Sequence, residues 1–389
     1  MKNIYILLAA AYLSFVALGF FDGAFSVAWP VLRYDMRLEL EQAGVLIIVN
    51  SIFWTLSGSQ IGRLLRYTSS EKLTLFGITA LMLALLGFSL AGSFGALMFV
   101  AGLAGFGSGL IDSGLNSYMA RNFSSRHMNW LHCCWSMGAA ISPIIMAQMI
   151  MSASWRVGYV SLAAIQGVIA VFVLISMLCG AWIIREGRTH NSSSLDTTNA
   201  RFLTQPHFQY MHMAIFFLFM GVDYSIGFWT TSVLLESRGL DIEHAGMYPA
   251  VYFASIMLGR IVSGYLAKYF RNITMIRVGF MLAITGIMIL MHSNSLFGMS
   301  LIGFGLAPIY PCLMHETSRR FAPDVLAKLV GYQVASASLG VAILGPATGL
   351  ILTHISLEAL FPIGIFFAVS VFTINEAIEA MSKKEGAAA

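Results

Sequence analysis

The chain has 389 residues, of which 58% are hydrophobic and only 10% charged, with a formal net charge of +4. A soluble domain carries about 25% charged residues, and a folded surface of this size must be largely wettable. A water-soluble enzyme and a nucleic-acid-binding protein are excluded, and the solvent for this chain is lipid.

Apolar stretches of about 20 residues recur along the whole sequence, each long enough to cross about 30 Å of hydrocarbon. They are continuous rather than alternating and rich in Gly, Ala, Leu and Met, which selects helices over a membrane barrel. The expected spans are 4–30, 43–65, 73–92, 95–120, 130–153, 156–184, 208–235, 245–268, 274–292, 295–317, 327–354 and 357–380. The first begins like a signal peptide, with Lys2 and an apolar run, but the run continues past Asp22 to Trp29 and reads as an uncleaved span. Arg63 and Arg66 close the second span. The fourth carries a Gly-rich stretch at 102–109 followed by Asp112 and Asn116. No Lys-Ser/Thr follows those glycines, so they read as small residues for close helix packing rather than a nucleotide loop. The fifth holds His132, Cys133, Cys134, Trp135, Gly138 and Pro143. With Cys179 and Cys312, the four cysteines form neither a disulfide framework nor a metal-ligand spacing.

The longest polar stretch, 185–207, divides the spans six and six. Expected domains are a bundle at 1–184, a cytoplasmic linker at 185–207 and a second bundle at 208–389. Asp223, Tyr224 and Trp229 fall in the seventh span, Tyr252 and Arg260 in the eighth, Tyr310 in the tenth and Gln333 in the eleventh. At the end of the tenth, Glu316, Arg319 and Arg320 are spaced for i,i+3 and i,i+4 pairs. His315-Glu316 is followed by Arg319 rather than His, so an intramembrane metalloprotease motif is missing. With both termini in the cytoplasm, seventeen of the 22 Lys and Arg fall at cytoplasmic ends and loops, against Arg33, Arg37, Arg156 and Arg238 outside. That is the positive-inside pattern, and it accounts for the net charge.

The halves echo each other at an offset of about 200 residues. Asp22 matches Asp223, Trp29 matches Trp229, and Gly58 through Gly62 matches Gly259 through Gly264. Gly105-Phe106-Gly107 matches Gly303-Phe304-Gly305, and Ser136-x-Gly138 with Pro143 matches Ser338-x-Gly340 with Pro346. Two six-helix units of the same topology, facing one another about a solute site at the midplane, are the expected consequence.

These residues also carry a family likeness. Gly62-Arg63-Leu64-Leu65-Arg66 and Gly259-Arg260 through Tyr269 resemble the loop motif of the major facilitator superfamily, with Gly62 and Lys268 where an acidic residue is usual. Within that superfamily the chain is similar to the fucose permease group of sugar–proton symporters. The likeness lies in the fourth span (Gly105 to Tyr118, with Asp112 in place of a Glu), the fifth (Leu131-His132, Gly138, Pro143) and the seventh (Gly221 to Trp229). Asp22 stands where that group has a functional Asp. The resemblance implies an all-α membrane protein of twelve transmembrane helices, monomeric, working by alternating access in the inner membrane.

Three carboxylates, Asp22, Asp112 and Asp223, fall well inside spans, where a charge costs roughly 3 kcal/mol on the insertion scale. Helix-capping or interhelical hydrogen bonds explain such groups in part; proton coupling explains them as functional, since a carboxylate short of water favours its neutral form. Asp112 and Asn116 share one helix face and offer an acceptor and an amide to a polar solute. Tyr224, Trp229, Tyr252, Tyr310 and Trp135 are candidate stacking rings, although aromatics at membrane depth also serve as packing. Asn50, His132 and Gln333 complete the candidate solute contacts, and Arg63, Arg66, Arg260, Glu316, Arg319 and Arg320 the candidate gates. The expected function is proton-coupled uptake of a small polar, sugar-like solute, with no cofactor and no metal. The rivals are a proton-driven exporter of drugs, siderophores or metabolites on the same fold, and a membrane enzyme or sensor, for which no motif is present.

Overall fold

The computed structural model describes residues 2–123, 125–182, 206–321 and 323–388, so most of the expected linker at 185–207 lies outside the described residues. Twelve helices among the described residues are long and apolar enough to cross a membrane. They are α1 (Lys2–Asp35), α2 (Gln42–Leu64, interrupted at Gln60), α3 (Ser70–Leu90), α4 (Phe94–Asn122), α5 (Ser125–Ser152) and α6 (Trp155–Leu178). Then follow α7 (Pro206–Glu236), α8 (Ile242–Leu266), α9 (Asn272–His292), α10 (Leu296–Leu306 and Ile309–Arg320), α11 (Pro323–His354) and α12 (Leu360–Ala388).

The expected spans match these helices closely, with informative departures at the ends. α1 runs through Pro30 to Asp35, beyond the expected end, because a proline forfeits a single backbone hydrogen bond without stopping a helix already packed on its neighbours. α6 stops at Leu178 rather than 184. Gly180 takes the left-handed conformation (φ 67°). Its N–H then reaches Met177 O and that of Ala181 reaches Ser176 O, a glycine-dependent helix stop. α10 breaks at Ala307-Pro308.

By contact the chain forms two compact units. The first comprises residues 1–190 together with 231–254; the second comprises 191–230 together with 255–389. The end of α7 and the beginning of α8 therefore pack with α1–α6, although the sequence-based division assigns them to the second bundle.

Within the first unit, α1 and α5 meet backbone to backbone. A Cβ on Gly138 would run into the Val16 carbonyl, one on Gly19 into the Trp135 carbonyl, and one on Gly23 into Ala139 O. Only hydrogen fits at such a crossing, and close approach supplies the packing energy that lipid cannot. α3 and α4 cross in the same way at Gly77 and Gly107. The second unit repeats both contacts: Gly340 of α11 against the Phe217 carbonyl of α7, and Gly279 of α9 against Gly305 of α10. The internal repeat read from the sequence is thus present at the level of individual helix crossings.

Candidate functional site

The α1–α5 crossing puts Asp22, the residue before Gly23, beside Trp135. The Trp135 indole N–H donates to Asp22 Oδ2 at 3.0 Å. Asp22 is exposed, while Phe21 and Gly23 on either side of it are buried. On α4, Asn116 Nδ2 donates to Asp112 Oδ1 at 2.8 Å, as the four-residue spacing requires; both side chains are half-buried. Asn116 Oδ1 has no hydrogen-bond partner among the described residues. Both these acids of the first unit are thus held by a neutral donor. His132 sits one turn before Trp135 on α5, half-buried, with its ring edge-on to Phe15 at 5.6 Å. Asn50 of α2 is turned to α4, donating to Ala101 O at 3.2 Å. Tyr252 is buried against Phe253.

At the far end of this unit, where α1 finishes, Arg33 makes a two-pronged ion pair with Glu236. Gly246 of α8 rests against Ala147 and Val27, and the Phe253 ring meets Trp135 edge-on at 5.7 Å. Trp155 Nε1 and Arg156 both approach Asp35, and Arg156 also donates to the carbonyls of Ser89 and Ala91 at 2.9 Å. Arg33 and Glu236 are absent from the sequence-based candidates. Their separation of 203 residues leaves no local signal.

In the second unit the candidate side chains take several roles. Asp223 and Tyr224 are half-buried, and Tyr224 stacks on Phe228. Trp229 is fully buried, donates to Gly345 O at 3.0 Å and has Gly349 against its ring, which is a packing arrangement. Tyr310 is half-buried between Phe216 and Phe219. Gln333 is fully buried and donates to Thr317 Oγ1 at 2.9 Å.

Glu316, Arg319 and Arg320 do come together. Glu316 accepts from Arg319 at 2.9 Å and from Asn272 at 2.8 Å, and lies 3.7 Å from Arg320. Arg320, itself buried, donates to Glu379 at 3.1 Å. It also reaches His212 Nε2 at 3.3 Å. Because His212 Nδ1 faces the Phe208 carbonyl at 2.8 Å, Nδ1 carries the proton and Nε2 is the acceptor for Arg320. Arg277 and Glu376 add a bidentate pair on the same side. Arg63 and Arg66 are exposed at the end of α2, and Arg260 is half-buried on α8. No group of three or more His, Cys, Asp or Glu among the described residues could hold a metal ion.

Twelve membrane-length helices with glycine-lined crossings and acids held by neutral donors inside them are the makings of a multi-pass membrane transporter. The Major Facilitator Superfamily profile matches residues 11–345, and the chain belongs to that superfamily. It is a transporter and not an enzyme. It is 23% identical over 353 residues to the glucose/mannose transporter GlcP of Bacillus subtilis (strain 168), covering 83% of this chain and 82% of that protein. Among solved structures, a bacterial homologue of the human lysosomal transporter Spinster, inward-facing and occupied, superposes with a TM-score of 0.74 at 14% identity, covering 99% of this chain and 97% of that one. The nucleoside transporter NupG gives 0.69 at 14% identity, with 98% of this chain and 99% of that one covered. These likenesses show the fold.

Proposed function

We propose that the chain is a secondary transporter that takes up a small, neutral, hydroxyl-rich solute together with protons, by alternating access across the inner membrane. In this reading 1–184 and 208–389 are the two repeats, both termini are cytoplasmic, and the protein works as a monomer. The observation that carries the reading is that Asp22 and Asp112, both inside spans of the first unit, are each held by a neutral donor. A carboxylate whose partner is a cation is fixed in its ionised form. One whose partner is an indole N–H or an amide remains free to take up and give back a proton.

The exposure of Asp22 supports a watery setting, because a charge facing hydrocarbon would cost roughly 3 kcal/mol. Asn116 supplies an acceptor, Oδ1, for a solute hydroxyl. The glucose/mannose transporter among the relatives supports a sugar-like solute, and the paired cluster of Glu316, Arg319 and Arg320 suits a gate at the cytoplasmic end. Proteoliposome uptake of labelled glucose, mannose and a nucleoside, with and without an imposed proton gradient, tests the proposal. Accumulation driven by an inward proton gradient and lost in Asp112→Asn is expected. Uptake indifferent to the gradient overturns the coupling, and export of the same solutes overturns the direction.

A further inference from the structure

The hydrogen bond between Trp135 and Asp22 has a second partner on its other side. The same indole ring packs edge-on against Phe253, in the stretch 231–254 that closes the Asp35 end of the first unit. That stretch is also held by the Arg33–Glu236 ion pair and the contact of Gly246 with Ala147. Trp135 is thus bonded to the acid that the proposed mechanism loads and unloads, and it touches the segment that must leave for this end of the unit to open.

We propose that Trp135 is a positioning residue that reports the state of Asp22 to the 231–254 segment, and that the Arg33–Glu236 pair is the latch it works against. An ionised Asp22 accepts a charge-assisted hydrogen bond and holds the indole in one orientation, with its edge on Phe253. A proton or a solute hydroxyl on Asp22 weakens that bond, frees the ring and loosens its contact with Phe253. The segment then loses one of its holds on the first unit and departs more readily. The Gly19, Gly23 and Gly138 contacts keep the α1 and α5 backbones fixed relative to each other, so a change at Asp22 is taken up by the Trp135 side chain. The titratable and charged groups on helices packed against α1 are Glu71 and Lys72 of α3, Asp112, Tyr118 and Arg121 of α4, Arg126, His127, His132, Cys133 and Cys134 of α5, and Arg156 and Tyr159 of α6. Of these, His127 is engaged by Tyr12 at 2.7 Å.

This inference rests on the reading of Asp22 as the loaded acid, and its test separates the two. The measurement is hydrogen–deuterium exchange, by mass spectrometry and corrected for intrinsic rates, of peptides within 236–254 in the full-length purified protein. The variants are wild type, Asp22→Asn, Trp135→Phe and the double variant, each at pH 5.5 and pH 8. Phe keeps an aromatic ring for Phe253 while removing the indole N–H. In the wild type, exchange is expected to rise several-fold from pH 8 to pH 5.5. Asp22→Asn and Trp135→Phe should each be fast at both pH values, and the double variant no faster than either. Gly246→Leu, a wedge at the closed end, should give the same fast exchange without touching Asp22. Fully additive single effects, or a Trp135→Phe protein that keeps the wild-type pH profile, overturn the link. Proton-driven uptake is read in parallel: wild-type uptake by Asp22→Asn overturns the role of Asp22 in transport, whatever the exchange data say of Trp135.

Discussion

The acids of α1 and α4 and those of α10 and α12 are held in opposite ways. Asp22 and Asp112 accept from an indole and an amide, whereas Glu316, Glu376 and Glu379 accept from Arg319, Arg277 and Arg320 respectively. Both sets lie in membrane-length helices, where an ionised carboxyl needs a partner. A cation partner meets that need by cancelling the charge and fixes the group as an ion. A neutral partner meets it only in part and leaves the group able to lose its charge. In the proposed mechanism the second region is a structural fastening and the first is where a proton is loaded and released.

That contrast can be broken most sharply at Arg320. Replacing it by Met leaves Glu316 and Glu379 without their shared buried cation, and a stability loss of about 3–5 kcal/mol is expected, read as a large drop in the unfolding temperature in detergent. Asp112→Asn removes a charge whose partner is neutral. Its expected stability change is below about 1 kcal/mol, while its gradient-driven uptake falls at least tenfold and its solute counterflow persists. If Asp112→Asn unfolds the protein as readily as Arg320→Met does, the distinction fails. Arg277→Met tests whether burial or charge governs the second region. That pair is 39% and 30% exposed, so despite its bidentate geometry it should be worth no more than about 1 kcal/mol.

The smallest effect is expected at Asp241, outside the spans. Its side chain accepts from the His244 amide at the start of α8. That amide, and then the His244 ring, hold the carboxyl below its ordinary range. A depressed acid stabilises the fold at neutral pH and loses that contribution as pH falls through the depressed value. Asp241→Ala should therefore melt slightly lower than the parent at pH 7 and converge with it in acid.

Much of this was legible in the sequence because membranes impose a simple length rule. The twelve spans follow from apolar runs, and Asp22, Asp112 and Asn116 stand out because each breaks such a run. The spacing of Asp112 and Asn116 already placed them on one helix face, where they prove to bond each other, and Glu316 to Arg320 already implied an ion cluster. What stayed hidden is long-range. Trp135 is one of several aromatics in the spans, and nothing local says that its N–H meets a carboxylate 113 residues away. Arg33 and Glu236 look like ordinary loop charges until the helices are packed. Gly19, Gly23 and Gly138 are indistinguishable in sequence from glycines such as Gly62 and Gly264, which face open space. Trp29 and Trp229 matched in the repeat, yet Trp29 donates to Leu40 O and Trp229 to Gly345 O, because each indole takes the nearest carbonyl its own surroundings offer.

The discontinuous make-up of the first unit bears on the order in which the protein is built. Asp22 enters the bilayer early in synthesis, yet the helix that supplies its hydrogen bond and its glycine crossing is the fifth to be made. The last piece of the same unit, 231–254, follows only after α6 and most of α7 have been translated. A ribosome halted at residue 190 would leave behind a first unit without its closing segment, with Arg33 lacking Glu236 and Trp135 lacking Phe253. Part of the second half, 231–254, thus belongs by its contacts to the first unit.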